Sequence, residues 1–290
     1  MAINLEAILK FMDKMPEPPQ ASVQAVGMLE DAAIPISKVA EFISMDECLT
    51  AKLLKLSNSA SYGYSGKVIT TREAMMRIGT NIVKATLYAS MLEMSNFKTS
   101  PFFMELWKSA LYCAFMSREI GALLNHPNKD LCFTAGLLAD IGQLSLNEFA
   151  PDLYPKLLYQ VREEGYQLCE AEQQIFGVTH TRIGVKMAEI WKLPAVYQNI
   201  IKYHHTPLIA HNSVLPDDYK ALIAVHIASA LLPLVNSEAG PDIQTDAFYA
   251  VNQGKSLETV LQQITHKMDL YTRNVEEISQ SMFGTVVSAA

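Results

Sequence analysis

Hydrophobic positions recur along this chain at three- and four-residue steps, and the two-residue alternation of a half-buried strand is hard to find. Ile3, Leu5, Ile8, Leu9, Phe11 and Met12 mark a helix over 3–14. Met15-Pro16-Glu17-Pro18-Pro19 must end it, because proline lacks the amide donor and restricts the residue before it. Helices are expected next over 22–31, from an N-cap at Ser37, and over 48–56. Ser57–Gly66, rich in Ser, Asn and Gly, reads as a loop. Thr70-Thr71-Arg72-Glu73 has the form of a capping box opening a helix to Ile78, and Gly79-Thr80-Asn81 resets the chain into another over 82–94. Beyond the polar stretch Ser95–Pro101, the spacing predicts helices over 102–124, 131–138, 153–163, 169–176, 182–191, 195–203, 217–232, 242–251 and 257–282, the last broken near Leu270. The pattern is that of an all-α protein with two helical lobes, 1–98 and 99–290.

Composition narrows the function classes. Half of the 290 residues are hydrophobic and 18% are charged, enough for a large core and incompatible with a disordered chain. With 23 basic and 30 acidic residues the net charge is −7, which argues against general nucleic-acid binding. Lys52, Lys55, Lys67, Arg72, Arg77 and Lys84 then read as solvated helix faces. The four cysteines form no CxxC pair, so neither a zinc knuckle nor a disulfide frame is expected, and a reducing, cytoplasmic setting is. The apolar run 221–235 is interrupted by His226, Ser229 and Pro233 and is too short for a bilayer, so no membrane insertion is expected. The 14 methionines, at helical spacings, read as core filler.

The informative residues are His and Asp. Asp140 lies in the apolar run Ala135-Gly-Leu-Leu-Ala-Asp-Ile-Gly142, where a carboxylate is costly unless paired or metal-bound; alone it also reads as a helix-end residue. His180 stands at the start of a helix, where a polar cap-region role suffices. His204-His205 follows an apolar helix and precedes Thr206-Pro207. Vicinal side chains on a helix point about 100° apart and meet at one ion only if the backbone leaves the helix; otherwise both are satisfied by backbone or water.

Taken in order, Ala135–Gly142, then His180 before Ile183-Gly184 and Trp191-x-Leu193-Pro194, then Tyr203-His204-His205-x-Pro207, resemble the HD superfamily of metal-dependent phosphohydrolases. The N-terminal half is similar, more narrowly, to the HDOD domain, a signalling-associated bacterial relative. Its carriers are Met15-Pro16-x-Pro18-Pro19, the long run Ile43-Ser44-Met45-Asp46 through Leu49-Thr50-Ala51-Lys52-Leu53-Leu54-Lys55-Leu56-Ser57-Asn58-Ser59-Ala60, and Ala74–Gly79 ahead of Asn81. The resemblance spans about residues 10–235 and implies a two-lobed HDOD architecture with an HD-like C-terminal lobe.

It also implies what is missing. Where the superfamily carries further metal-binding His and Asp residues, this chain reads Ser109, Ala139 and Ser229, so that only Asp140, His180, His204 and His205 persist as metal candidates. His226 reads as a core-edge histidine. The expectation is a signalling or regulatory interaction module with a decayed metal pocket and no assured catalysis; the alternative is a phosphohydrolase acting on phosphomonoesters or nucleotide phosphodiesters with a reduced ligand set. The resemblance leaves room for a divalent metal ion and a nucleotide ligand, and points to a protein partner. For that partner the candidate contact residues are Asn58, Tyr62 and Tyr64 of the Ser57–Gly66 loop, with the mouth of the pocket.

Overall fold

A computed structural model describes residues 5–12, 18–59, 62, 67–94, 102–236, 243–252 and 254–283. Among them every regular element is helical: α1 (Leu5–Met12), α2 (Gln20–Glu30), α3 (Ile36–Ser44), α4 (Glu47–Ser57), α5 (Thr71–Ile78), α6 (Thr80–Met94), α7 (Phe103–Leu123), α8 (Lys129–Leu138), α9 (Ile141–Phe149), α10 (Tyr154–Glu164), α11 (Leu168–Phe176), α12 (His180–Ile190), α13 (Ala195–Tyr203), α14 (Pro207–Ala210), α15 (Pro216–Asn236), α16 (Thr245–Val251), α17 (Leu257–His266) and α18 (Met268–Phe283). Among the described residues no helix is long and apolar enough to cross a membrane.

Local chemistry explains most boundaries. Asp46 accepts the Leu49 amide at 2.9 Å to open α4, and Thr70 accepts the Glu73 amide at 3.2 Å to open α5. Glu73 turns its carboxylate toward the Ile69 amide (3.5 Å), so the reciprocal half of the capping box is displaced by one residue. The Ser37 cap is not formed: α3 starts behind Pro35, whose fixed φ suits a helix entry, and Ser37 falls in the first turn. Helix α9 has no counterpart in the periodicity. Its Ile141, Gly142, Leu144, Ser145, Leu146 and Asn147 are all buried, so small and polar residues sit inside and the amphipathic stripe disappears.

The chain divides into two compact units, Met1–Met15 with Thr99–Tyr271 and Pro16–Lys98 with Thr272–Ala290; the lobes read from the sequence assign both chain ends to the opposite unit. The first unit is built on α7, which packs along α8 and α15 over Trp107, Leu111, Phe133 and Ile223. A Cβ on Gly136 would fall 2.6 Å from Ser117 Oγ and 2.8 Å from the Cys113 carbonyl, so this glycine sets how closely α8 lies on α7. Phe11 of α1 packs edge-on against Phe149 of α9, ring centres 5.6 Å apart.

The second unit has its core among α2, α3, α4 and α6, from Ala25, Ile43, Leu53, Leu56 and Leu87. Lys84 is buried there against Glu30 at 2.6 Å. Asn58, at the C-terminus of α4, donates to the carbonyls of Leu54 (2.9 Å) and Val68 (2.8 Å) and accepts the Val68 amide (2.8 Å), pinning the two ends of the following loop together.

Candidate metal centre

Four helix ends meet inside the first unit. Asp140 occupies the junction between α8 and α9 at φ −101°, ψ 17°, an N-cap position, yet its carboxylate makes no capping bond. It points instead to the start of α12 and the end of α13. At α12 the cap is Thr179, which accepts the Arg182 amide and leaves the His180 ring free of that duty. At α13 the helix ends at Tyr203, and the backbone departs by Thr206 (φ −133°). His204 and His205 lie in the turn between these two points, with their ring centres 4.1 Å apart.

One ligand atom from each of Asp140, His180, His204 and His205 falls in a cluster within 4.8 Å of one another. His180 Nε2 lies 3.2 Å from Asp140 Oδ1 and 3.1 Å from His205 Nε2; His204 Nε2 lies 3.5 Å from the same Oδ1. Bonds of 2.0–2.1 Å to a tetrahedral zinc place its ligands about 3.3–3.4 Å apart, and these three separations lie close to that, in a cluster whose ligand atoms all fall within 4.8 Å.

Hydrogen bonds fix which ring nitrogens are free. Nδ1 of His204 faces the Ile201 carbonyl at 2.9 Å, and a carbonyl only accepts, so Nδ1 carries the proton and Nε2 presents its lone pair. That Nε2 is buried and finds no hydrogen-bond partner among the described residues. Nδ1 of His180 donates to Glu172 Oε2 at 2.7 Å, which leaves Nε2 facing Asp140. Three imidazole nitrogens and a carboxylate oxygen turned on one point are mutually repulsive without a proton or cation among them. The donor set fits a borderline divalent ion such as zinc better than magnesium or calcium.

Electrostatics follow the same geometry. Burial would lower the His180 ring, but Glu172 and Asp140 on either side overcome it and hold it well above the usual histidine range. Burial would raise Asp140, but the His180 ring at 3.2 Å, and then the His204 ring at 3.5 Å, hold its carboxyl well below the carboxylate range. Burial, then the neighbouring His204 and His180 rings, push His205 well down, so it stays neutral.

The expected metal candidates are thus brought together, and the substituted positions are not ligands by chemistry. Ser229 Oγ is spent on the His226 carbonyl of its own helix, and Ala139 is buried. His226 is a clasp: Nδ1 donates to the His204 carbonyl at 2.7 Å while Nε2 accepts the Gln244 amide at 2.9 Å, and Gln244 Nε2 donates to the His205 carbonyl at 3.2 Å.

Sequence reading did not single out Gln143, Glu172, Tyr154 or Gln244. Gln143 Nε2 donates to Asp140 Oδ1 at 2.7 Å. Glu172 could have been noticed: it sits four residues from both Leu168 and Phe176, on the apolar face of α11, where a carboxylate needs an explanation. Cys169 lies beside Glu172 and His180, and burial pushes its thiol up to about 11, so it remains protonated.

Of the loop residues, Asn58 has both amide atoms engaged in the Val68 pin. Tyr62 is half-buried, its phenol pushed up to about 12 by burial and then by Glu277. Tyr64 lies outside the described residues. Beside this loop, Leu54, Lys55, Asn58, Lys67, Val68 and Ile69 line a shallow groove of about 540 Å³.

The HDOD domain model matches residues 15–207. An uncharacterized protein of Treponema pallidum (strain Nichols) is 24% identical over 222 residues, which are 75% of this chain and 42% of that protein, so the chain spans less than half of that relative. Among solved structures, an HDOD domain protein of unknown function from Geobacter sulfurreducens superposes with a TM-score of 0.73 at 22% identity, over 94% of this chain and 97% of that one. A protein of Marinobacter aquaeolei VT8, provisionally assigned to signal transduction, gives 0.76 at 18% identity over 93% and 60%. One from Shewanella amazonensis SB2B, provisionally assigned as a metal-dependent phosphohydrolase, gives 0.58 at 18% over 96% and 97%. At these identities the structures establish a shared fold, and with the family match covering two thirds of the sequence, the chain belongs to the HDOD domain family.

Proposed function

We propose that this chain is a signalling and regulatory module in which the Asp140, His180, His204 and His205 cluster holds one divalent cation as a structural centre, without phosphohydrolase turnover. The observation that carries this reading is the ligand set itself: four protein atoms converge within 4.8 Å, enough to saturate a tetrahedral ion. Structural zinc sites are closed in this way, whereas hydrolytic ones keep a position for water. When bound, the ion supplies the positive charge that the facing lone pairs lack and ties α9, α12 and α13 together. Ser109, Ala139 and Ser229 offer no strong ligand for the second ion of a two-metal mechanism.

The names borne by the fold relatives support both signalling and metal-dependent hydrolysis, so the test must separate them. Purified protein should carry about one zinc per chain by elemental analysis, lost in Asp140→Asn. It should not turn over phosphomonoesters or cyclic dinucleotides with manganese. Robust manganese-dependent turnover abolished by Asp140→Asn would replace this reading with the hydrolase.

For a signalling output we place protein contact at the loop of the second unit, with Tyr62, Tyr64, Asn58 and the adjoining groove. Its lysines Lys55 and Lys67 and its exposed Ile69 suit an acidic, partly apolar segment. Partner recovery that is unchanged by Tyr62→Ala and by Asn58→Ala, with both proteins folded, removes this surface.

A further inference from the structure

We infer that Glu172 is a positioning residue of this centre, holding His180 in the Nδ1–H form with Nε2 aimed at Asp140. The inference rests on the metal-centre reading for its consequence, and on geometry alone for its first part. Glu172 and His180 are both fully buried. Glu172 Oε2 accepts two bonds from one residue, the His180 backbone amide at 2.8 Å and Nδ1–H at 2.7 Å. Its other oxygen accepts the Tyr154 hydroxyl at 2.5 Å. An ionised carboxylate accepts all three contacts, and against it Nδ1 makes a hydrogen bond only when it carries the proton. A buried carboxylate is costly unless paired, and the ion-pair partner of Glu172 among the described residues is the His180 ring.

Carboxylates behind ligating imidazoles fix ring orientation and raise the basicity of the far nitrogen. Tyr154 extends the arrangement by one member. Burial, followed by the charge of Glu172, drives its phenol well above the tyrosine range, so it stays a donor. The competing role for Glu172 is purely architectural, capping α12 through the His180 amide.

The two are separated by ¹⁵N-histidine correlation spectra of metal-free protein together with zinc titration. In the unmodified chain, His180 should show a low-field, slowly exchanging Nδ1–H, identified by its absence in His180→Asn. Glu172→Gln, which keeps size and removes charge, should move that resonance upfield and weaken zinc about 10- to 100-fold. Tyr154→Phe, a milder change that preserves packing, should shift both in the same direction by less. A His180 Nδ1 without a proton overturns the inference. So do zinc affinities within twofold of the parent in both variants at matched thermal midpoints. A Glu172-dependent Nδ1–H in a protein that takes up no zinc supports the positioning role and sinks the metal-centre reading instead.

Discussion

Gly142 lies so close to His180 that a Cβ placed on it would fall 1.9 Å from the His180 carbonyl oxygen and 2.7 Å from the Gly184 amide nitrogen. Both obstacles are backbone, which cannot rotate aside as a side chain can. Helix α9 therefore reaches α12 only without a side chain at this position, two residues after Asp140.

Gly142→Ala should force α9 and α12 apart, with an overpacking cost of about 1–3 kcal/mol. Because Asp140 and His180 ride on those helices, zinc affinity should fall in a protein that still melts cooperatively. Chelator competition and urea unfolding on the same variant check both halves.

How much of this was legible in sequence depends on periodicity. Helix α13 was bounded correctly at Ala195–Tyr203 because its apolar face is unbroken and Pro194 precedes it. Asp140, His180 and the vicinal histidines were legible through their order and contexts. Helix α9 was not, since burial on all sides leaves no stripe to detect. Glu172 and Gln244 were missed for another reason: their roles come from partners 8 and 18 residues or more away, across turns whose path no local pattern encodes.

Removing the clasp at His226 should unseat the histidine pair without deleting a ligand. His226→Leu strands the Gln244 amide and the His204 carbonyl, and one such buried group costs about 1–3 kcal/mol. Zinc stoichiometry should hold while affinity declines. Loss of stoichiometry equal to that of His204→Ala would make His226 a ligand.

His126 should give the fold a pH dependence of its own. Its Nδ1 accepts the Asn128 amide at 2.9 Å, and Nε2 is buried without a hydrogen-bond partner among the described residues. Burial lowers this ring below 6.5, against a smaller opposing effect of the Asp217 charge. The unfolded chain thus binds the proton first: the stability is present above about pH 6.5 and drains away as pH falls through the folded value. His126→Gln should flatten the unfolding free energy between pH 7 and 5; an unaltered slope would assign it to other groups.

In the second unit the Lys84–Glu30 pair is buried on the lysine side, whereas Glu30 keeps 21% of its side chain exposed. Lys84→Ala should cost about 2–3 kcal/mol, below the ~3–5 kcal/mol for breaking a fully buried pair. Lys84→Met combined with Glu30→Leu should recover most of that loss. A double-mutant cycle in urea gives the coupling directly.

The Asn58 pin has a consequence for how the chain tolerates change. By tying the end of α4 to Val68 through its own amide, Asn58 closes the intervening segment with bonds that do not involve the segment's residues. Segment length is thereby uncoupled from the register of α4 and α5. Closure entropy grows only as the logarithm of length, about 0.6 kcal/mol for each doubling. A change of length between the two pinned ends, made so that the half-buried Tyr62 is kept, should therefore leave α4 and α5 in their places.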